Sequence, residues 1–105
     1  MSRNAGIQIP HDRIAEFCRK WRISELALFG SVLRADFRPN SDIDVLVSFS
    51  SSAHITLFDL IRMRNELKEI FGREVDLVSR RGLESSPNYR RRHAILSSAE
   101  VVYVA

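Results

Sequence analysis

Apolar and polar positions follow two periods along this chain, one helical and one extended. The helical period, with apolar residues three and four positions apart, occurs in residues 10–21 and 56–71, and residues 88–97 are interpreted as a short basic helix. Pro10 suits the first position of the first helix. The predicted buried face of that helix consists of Ile14, Phe17, Cys18 and Trp21. We therefore expect three helices, of which the last is short and basic.

The longest predicted helix, residues 56–71, has capping residues at both ends. Thr56 suits the N-cap position, and Asp59 can complete a capping box three residues later. Gly72 suits the C-cap, since glycine adopts a left-handed conformation without strain. The buried stripe of this helix is expected to contain Leu57, Leu60, Ile61, Leu67, Ile70 and Phe71.

Four short segments have the composition or alternation of β-strands: residues 25–29, 42–49, 73–79 and 100–104. Residues 32–41 are polar and predict a turn or short helix followed by a loop, and residues 80–87 predict a loop. Because strands and helices alternate, the sequence predicts an α/β (α+β) fold. We expect a small mixed β-sheet with helices packed mainly on one face.

The size of the chain fits one domain. It has 105 residues, 45% of them hydrophobic, which predicts a single domain over residues 1–105 with residues 1–9 flexible. No apolar run reaches the ~18–20 residues that cross a bilayer. The N-terminus also lacks the apolar stretch of a signal peptide. These observations predict a cytoplasmic protein with no membrane partner.

Cysteine, histidine and charge exclude several kinds of site. The single cysteine, Cys18, excludes an internal disulfide or multi-cysteine zinc site and is expected in the core. The three histidines match no metal-ligand spacing. The net charge is +3, but the basic excess lies at the two ends and the acids lie in the middle. Charge is therefore weak evidence for nucleic acid, and we expect no direct nucleic-acid binding.

Three aspartates carry the strongest chemical signal. Asp42 and Asp44 are two positions apart on a predicted strand, so their carboxylates share a face with Cα atoms about 7 Å apart. Two such anions repel unless a cation binds them, and their oxygens suit Mg²⁺ or Mn²⁺. Asp76 lies on a later strand, on the face opposite to Val75 and Leu77. Three convergent carboxylates can hold two metal ions for nucleotidyl transfer.

The dipeptide Gly30–Ser31 follows a predicted strand and is a candidate phosphate site. Glycine lets the backbone approach a ligand, and backbone N–H groups with the Ser31 hydroxyl can bind the phosphates of a nucleotide. An ordinary turn glycine and a helix N-cap explain the same pair. The Asp42-x-Asp44 pattern that follows after ten intervening residues makes the combination more specific.

The segment FGSVLRADFRPNSDIDVLVSF resembles the signature of DNA-polymerase-β-like nucleotidyltransferases, in particular the minimal nucleotidyltransferases (MNT domains, MntA-like antitoxins). The resemblance extends over residues 10–104 and includes VDLVSRRGL at residues 75–83. Arg34 matches a basic position of that group that contacts phosphate. Ala35 departs from the glycine of many relatives, which leaves the three acids untouched.

The resemblance implies a polymerase-β-like nucleotidyltransferase fold and a role for each remaining site residue. Asp42 and Asp44 match acids that bind two Mg²⁺ ions. Asp76 matches the acid that binds the catalytic metal and helps to deprotonate the attacking hydroxyl. Gly30 and Ser31 match residues that hold the triphosphate of ATP, the substrate.

The resemblance also implies a partner. Members of this group are typically encoded beside a HEPN-domain RNase toxin and silence it by transferring AMP from ATP to a tyrosine. The expectation is a protein adenylyltransferase that acts as the antitoxin of a type VII-like toxin–antitoxin pair and forms a hetero-oligomer with the toxin. Two alternatives stay open: a non-catalytic antitoxin that blocks the toxin sterically, and a catalytic subunit that modifies a small molecule held by a separate subunit.

The basic run Arg90-Arg91-Arg92-His93 has three interpretations: a solvated helix face, a toxin-docking surface or an RNA contact. An RNA contact would need interleaved aromatic residues, and only Tyr89 is adjacent. The solvated face is therefore favoured.

Overall fold

The structure, a computed structural model, describes residues 9–30 and 42–105. The elements in chain order are α1 (His11–Lys20), β1 (Ile23–Phe29), β2 (Ile43–Phe49), α2 (Leu57–Phe71), β3 (Val75–Ser79), α3 (Arg80–Glu84), α4 (Tyr89–Ser98) and β4 (Glu100–Val104). The turn predicted at 32–41 lies outside the described residues, as does most of the predicted flexible segment 1–9. Ile9 itself packs against the core. None of the helices in the described part of the chain is long and apolar enough to span a membrane.

The four strands form one mixed sheet in the order β3-β2-β1-β4. Strand β1 is antiparallel to both of its neighbours, β2 and β4. Strand β2 is parallel to β3, and α2 makes the crossover between them. This arrangement confirms the predicted mixed sheet, and it makes β3 and β4 the edge strands.

The larger part of the core lies between the sheet and helices α1 and α2. Its fully or almost fully buried members are Ile14, Phe17, Cys18, Ile23, Leu26, Leu28, Ile43, Val45, Val47, Met63, Leu67 and Val75. Cys18 is 0% exposed, as expected for a small core residue. Burial raises the pKa of its thiol to about 12.

The other face of the sheet carries a smaller cluster. It consists of Ala27, Phe29 and Leu46 from the sheet, Leu83 from α3 and Ile95 from α4. Helices α1 and α2 thus lie on one face, and α3 and α4 cover part of the other. The predicted class is confirmed, but the helices are less confined to one face than we expected.

Helix α2 has the predicted caps but a different buried stripe. The Thr56 hydroxyl accepts a hydrogen bond from the Asp59 N–H at 3.1 Å, and the Asp59 carboxylate accepts one from the Thr56 N–H at 3.0 Å. Gly72 ends the helix in the left-handed conformation. The prediction that Leu57 and Ile61 are buried is wrong, because they are 71% and 44% exposed.

The prediction of a loop at residues 80–87 is wrong for residues 80–84, which form α3. The Ser79 hydroxyl accepts a hydrogen bond from the Gly82 N–H at 3.1 Å and so caps this short helix. Leu83 is buried against the sheet at 2% exposure. Burial of this one apolar residue holds a helix where the glycine and serines suggested a loop.

One arginine of the basic run on α4 has a structural role. Arg92 donates from Nη1 to the carbonyl oxygens of Glu84 at 3.2 Å and Ser86 at 3.3 Å. Its guanidinium also lies 5.5 Å from the Tyr89 ring centroid. Arg92 therefore ties α4 to the end of α3, while Arg90 and Arg91 are exposed.

Candidate active site

The parallel pairing of β2 and β3 places two of the predicted acids side by side. Asp44 and Asp76 are Cα partners in this register. Partners on adjacent strands project from the same face, about 4.8 Å apart along the hydrogen-bonding direction. The face is the one that bears the smaller apolar cluster, because Leu46 and Val78, two positions further along each strand, belong to that cluster.

Asp42 precedes β2 by one residue and is exposed. It lines a groove of about 430 Å³ together with Asp76. The groove runs along the β3 edge of the sheet beside the first half of α2, and Glu74 also contributes a carboxylate to it. The structure therefore brings Asp42 and Asp76 to one groove and Asp44 and Asp76 to one register position.

Gly30 lies directly against one of these acids. It follows β1 with φ +77°, a conformation that glycine adopts without strain. A Cβ at this position would overlap the Asp44 carboxylate, with the Cγ atom only 3.2 Å away. Glycine is thus required here both for its backbone conformation and for the close approach to Asp44.

Two predicted site residues, Ser31 and Arg34, lie outside the described residues. In the ranges 9–30 and 42–105, no three His, Cys, Asp or Glu side chains form a ready-made metal-binding group. The donor set still suits Mg²⁺, which binds through one or two carboxylates and completes its shell with water and substrate phosphates. Asp44 and Asp76 provide such a pair.

The first half of α2 supplies groove residues that the sequence interpretation assigned to the core or left out. Leu57, Leu60, Ile61 and Arg64 all line the groove beside the carboxylates. One signal was available in the sequence. Four of the five residues 57–61 are apolar, which is more than one buried helix face accommodates.

Carboxylates set side by side on parallel strands, next to a glycine and a groove, suit the metal-assisted transfer of a phosphoryl or nucleotidyl group. The comparison of the sequence with known families agrees with this chemistry over most of the chain. The chain belongs to the nucleotidyltransferase domain family, whose model matches residues 12–100, and it is a nucleotidyltransferase.

A curated relative agrees with this family. The chain is 31% identical over 70 residues to the protein adenylyltransferase MntA of Thermococcus cleftensis. The match covers 67% of this chain and 69% of the relative.

Solved structures share the fold. A structure described as a "putative minimal nucleotidyltransferase" has a TM-score of 0.66 and 33% identity, with 86% of each chain covered. A toxin–antitoxin crystal structure with AMP-PNP has a TM-score of 0.70 and 19% identity, covering 92% of this chain and 75% of that one. A complex of a tri-AMPylated Shewanella oneidensis HEPN toxin with an MNT antitoxin has a TM-score of 0.61 and 18% identity, covering 90% and 70%. The last two establish likeness of fold alone.

Proposed function

We propose that this protein is a Mg²⁺-dependent adenylyltransferase that moves AMP from ATP to a tyrosine hydroxyl of a HEPN-type RNase toxin, encoded in the adjacent gene, and so acts as its antitoxin. The relative named protein adenylyltransferase MntA supports the reaction. The neighbouring complex with an AMPylated HEPN toxin supports the partner. The proposal includes a hetero-oligomer with the toxin, two Mg²⁺ ions, for which Mn²⁺ can substitute, and a single domain over residues 1–105.

The reaction forms a bond between the acceptor oxygen and the α-phosphorus of ATP and breaks the bond from that phosphorus to pyrophosphate. Bound Mg²⁺ would neutralise the charge that develops on the phosphate oxygens. Asp42 and Asp44 would hold the metal ions, and Asp76 would hold one and accept the proton of the attacking hydroxyl. Gly30, Ser31 and Arg34 would contact the triphosphate, through the backbone at the glycine.

The observation that carries the proposal is the register between Asp44 and Asp76. It puts a carboxylate of the edge strand next to a carboxylate of the inner strand. One of the pair faces the groove from which an acceptor can approach, and the other lies against the glycine.

The test is to incubate the protein with α-labelled ATP, Mg²⁺ and the HEPN-domain protein of the adjacent gene. We expect label on the toxin, loss of labelling in Asp42→Asn and Asp76→Asn, and normal labelling in Asp12→Asn, an exposed acid on α1. Unlabelled toxin, or label that persists in both site variants, contradicts the proposal.

The same variants separate the alternatives. A sterically blocking antitoxin predicts that the double variant Asp42→Asn, Asp44→Asn still neutralises the toxin in cells. A small-molecule transferase predicts label on an added small molecule and none on protein. Either result would replace the proposal.

A further inference from the structure

The start of α2 exposes three large apolar side chains to solvent. Leu57 is 71% exposed, Phe58 75% and Ile61 44%. Ile61 neighbours both Leu57 and Phe58 on the helix surface, because it follows them by four and three positions. We name these three residues the apolar patch. Exposed large apolar side chains grouped on one surface are typical of a site of interaction with another molecule.

The apolar patch continues into the groove that contains the candidate catalytic acids. Leu57 and Ile61 line that groove together with Asp42 and Asp76. An acceptor that binds the patch therefore lies next to the acid proposed to take its proton. This continuity distinguishes the patch from exposed Val101 and Val104, which lie on β4 at the opposite edge of the sheet.

The positions of Gly30, Asp44 and Asp76 across the sheet indicate the side from which the attacking hydroxyl approaches. Gly30 lies against Asp44 on one side, while Asp76 is on edge strand β3, which packs next to α2. In-line transfer requires the attacking and leaving oxygens on opposite sides of the phosphorus. With the triphosphate on the Gly30 side, the attacking hydroxyl enters from the groove.

We infer that the groove and the apolar patch together bind the acceptor tyrosine of the partner protein and the apolar residues beside it. This inference rests on the proposed function and assigns its acceptor site. A tyrosine combines an apolar ring with a polar hydroxyl, and so it fits a groove with leucine and isoleucine on α2 and carboxylates on the sheet. A hydrophilic acceptor segment would leave the patch exposed.

The decisive experiment measures transfer kinetics with the HEPN-domain protein of the adjacent gene as acceptor. The double variant Leu57→Ser, Ile61→Ser should raise KM for that acceptor about tenfold or more, as loss of central apolar contacts does in interfaces. The kcat at saturating acceptor and the Kd for Mg²⁺ with AMP-PNP should stay at the wild-type values. The matched control Val101→Ser, Val104→Ser removes two exposed apolar residues from the other edge and should leave all three unchanged.

The outcomes are distinguishable. If the wild-type protein labels the toxin and the patch variant keeps the wild-type KM, the acceptor site is elsewhere and only this inference is overturned. An equal rise of KM in the β4 control overturns it as well. If the wild-type protein transfers no label, the proposed function fails and the inference fails with it.

A second measurement does not depend on the kinetics of a variant. Replacing Phe58, which is exposed, with a photoreactive benzoylphenylalanine should give a crosslink to the toxin. Mass spectrometry should find the crosslinked peptide within a few residues of the modified tyrosine. A crosslink to a distant surface of the toxin, or none from a complex that forms normally, contradicts the inference.

Discussion

Asp44 and Asp76 lie opposite each other in the parallel register of β2 and β3. Residues 32 positions apart in the chain thus meet on adjacent strands because α2 returns the chain alongside β2. Two carboxylates in this position repel each other unless a cation binds between them. The pair therefore suits the binding of a divalent metal and does not stabilise the fold by itself. Variants of these acids should lose activity without losing the fold.

Replacing Asp76 with asparagine should abolish transfer while the fold is retained. Asparagine keeps the size of the side chain but removes the negative charge and the ability to accept a proton. We expect labelling of the toxin to fall about 10²–10⁴-fold, the range for loss of a general base. The thermal stability should not fall, since Asp76 is exposed and its neutralisation relieves repulsion with Asp44. An Asp76→Asn variant with more than a tenth of wild-type activity would contradict the role of Asp76 as the general base. The control, Asp12→Asn, should keep wild-type activity.

Nucleotide and metal should stabilise the protein only together. At a ligand concentration 100 times its Kd, stabilisation is about 2.7 kcal/mol, which raises Tm by several degrees in a domain of this size. We expect Mg²⁺ with AMP-PNP to raise Tm in the wild type, and AMP-PNP with EDTA not to. Asp44→Asn should remove the shift, because Asp44 is one of the proposed metal ligands. An equal shift in EDTA would exclude metal-dependent binding.

Two glycines with nearly the same backbone conformation should respond differently to alanine. Gly30 has φ +77° and Gly72 has φ +70°. Each substitution should cost about 1–2 kcal/mol of unfolding free energy from left-handed strain. A Cβ added at Gly72 would meet no atom of the described residues within 4 Å, whereas a Cβ at Gly30 would overlap the Asp44 carboxylate. Gly30→Ala should therefore also lose transfer activity, measured with labelled ATP, and Gly72→Ala should keep it. Equal activity in both variants would contradict the role of Gly30.

Much of the fold could be predicted from periodicity because its elements have strong local signals. The capping box of Thr56 and Asp59 and the C-cap Gly72 define α2 without knowledge of its neighbours. The register between Asp44 and Asp76 could not be predicted in this way, because the pairing of parallel strands depends on how the crossover packs. The excess of apolar residues at 57–61 indicates that some of them are exposed. It does not show that these are Leu57 and Ile61, since helical spacing defines a face but not how far the sheet extends beneath it.

The capping box at the start of α2 should support both stability and the apolar patch. Thr56→Ala removes the acceptor of the Asp59 N–H and should cost about 1 kcal/mol of unfolding free energy, measured by urea denaturation. Because the first turn carries Leu57 and Phe58, its fraying should also raise KM for the acceptor. Thr56→Ser keeps a hydroxyl and should restore most of the stability. A serine variant as unstable as the alanine variant would show that the hydroxyl hydrogen bond is not the cause.

The buried thiol of Cys18 should make the fold sensitive to alkaline pH. The folded thiol has a pKa of about 12, raised by burial from 9.0, although nearby Arg19 opposes the shift. Because the folded pKa is the higher one, this contribution to stability is complete below about pH 9 and is lost as the pH rises towards 12. Between these values the unfolded thiol ionises first, and the free energy of unfolding should fall by about 1.4 kcal/mol per pH unit for this group.

Urea denaturation of the wild type and of Cys18→Val at pH 8, 9.5 and 10.5 measures this fall, since the other groups titrate equally in both proteins. The valine variant should lose less stability over this range, and parallel curves would show that the thiol ionises in the folded protein.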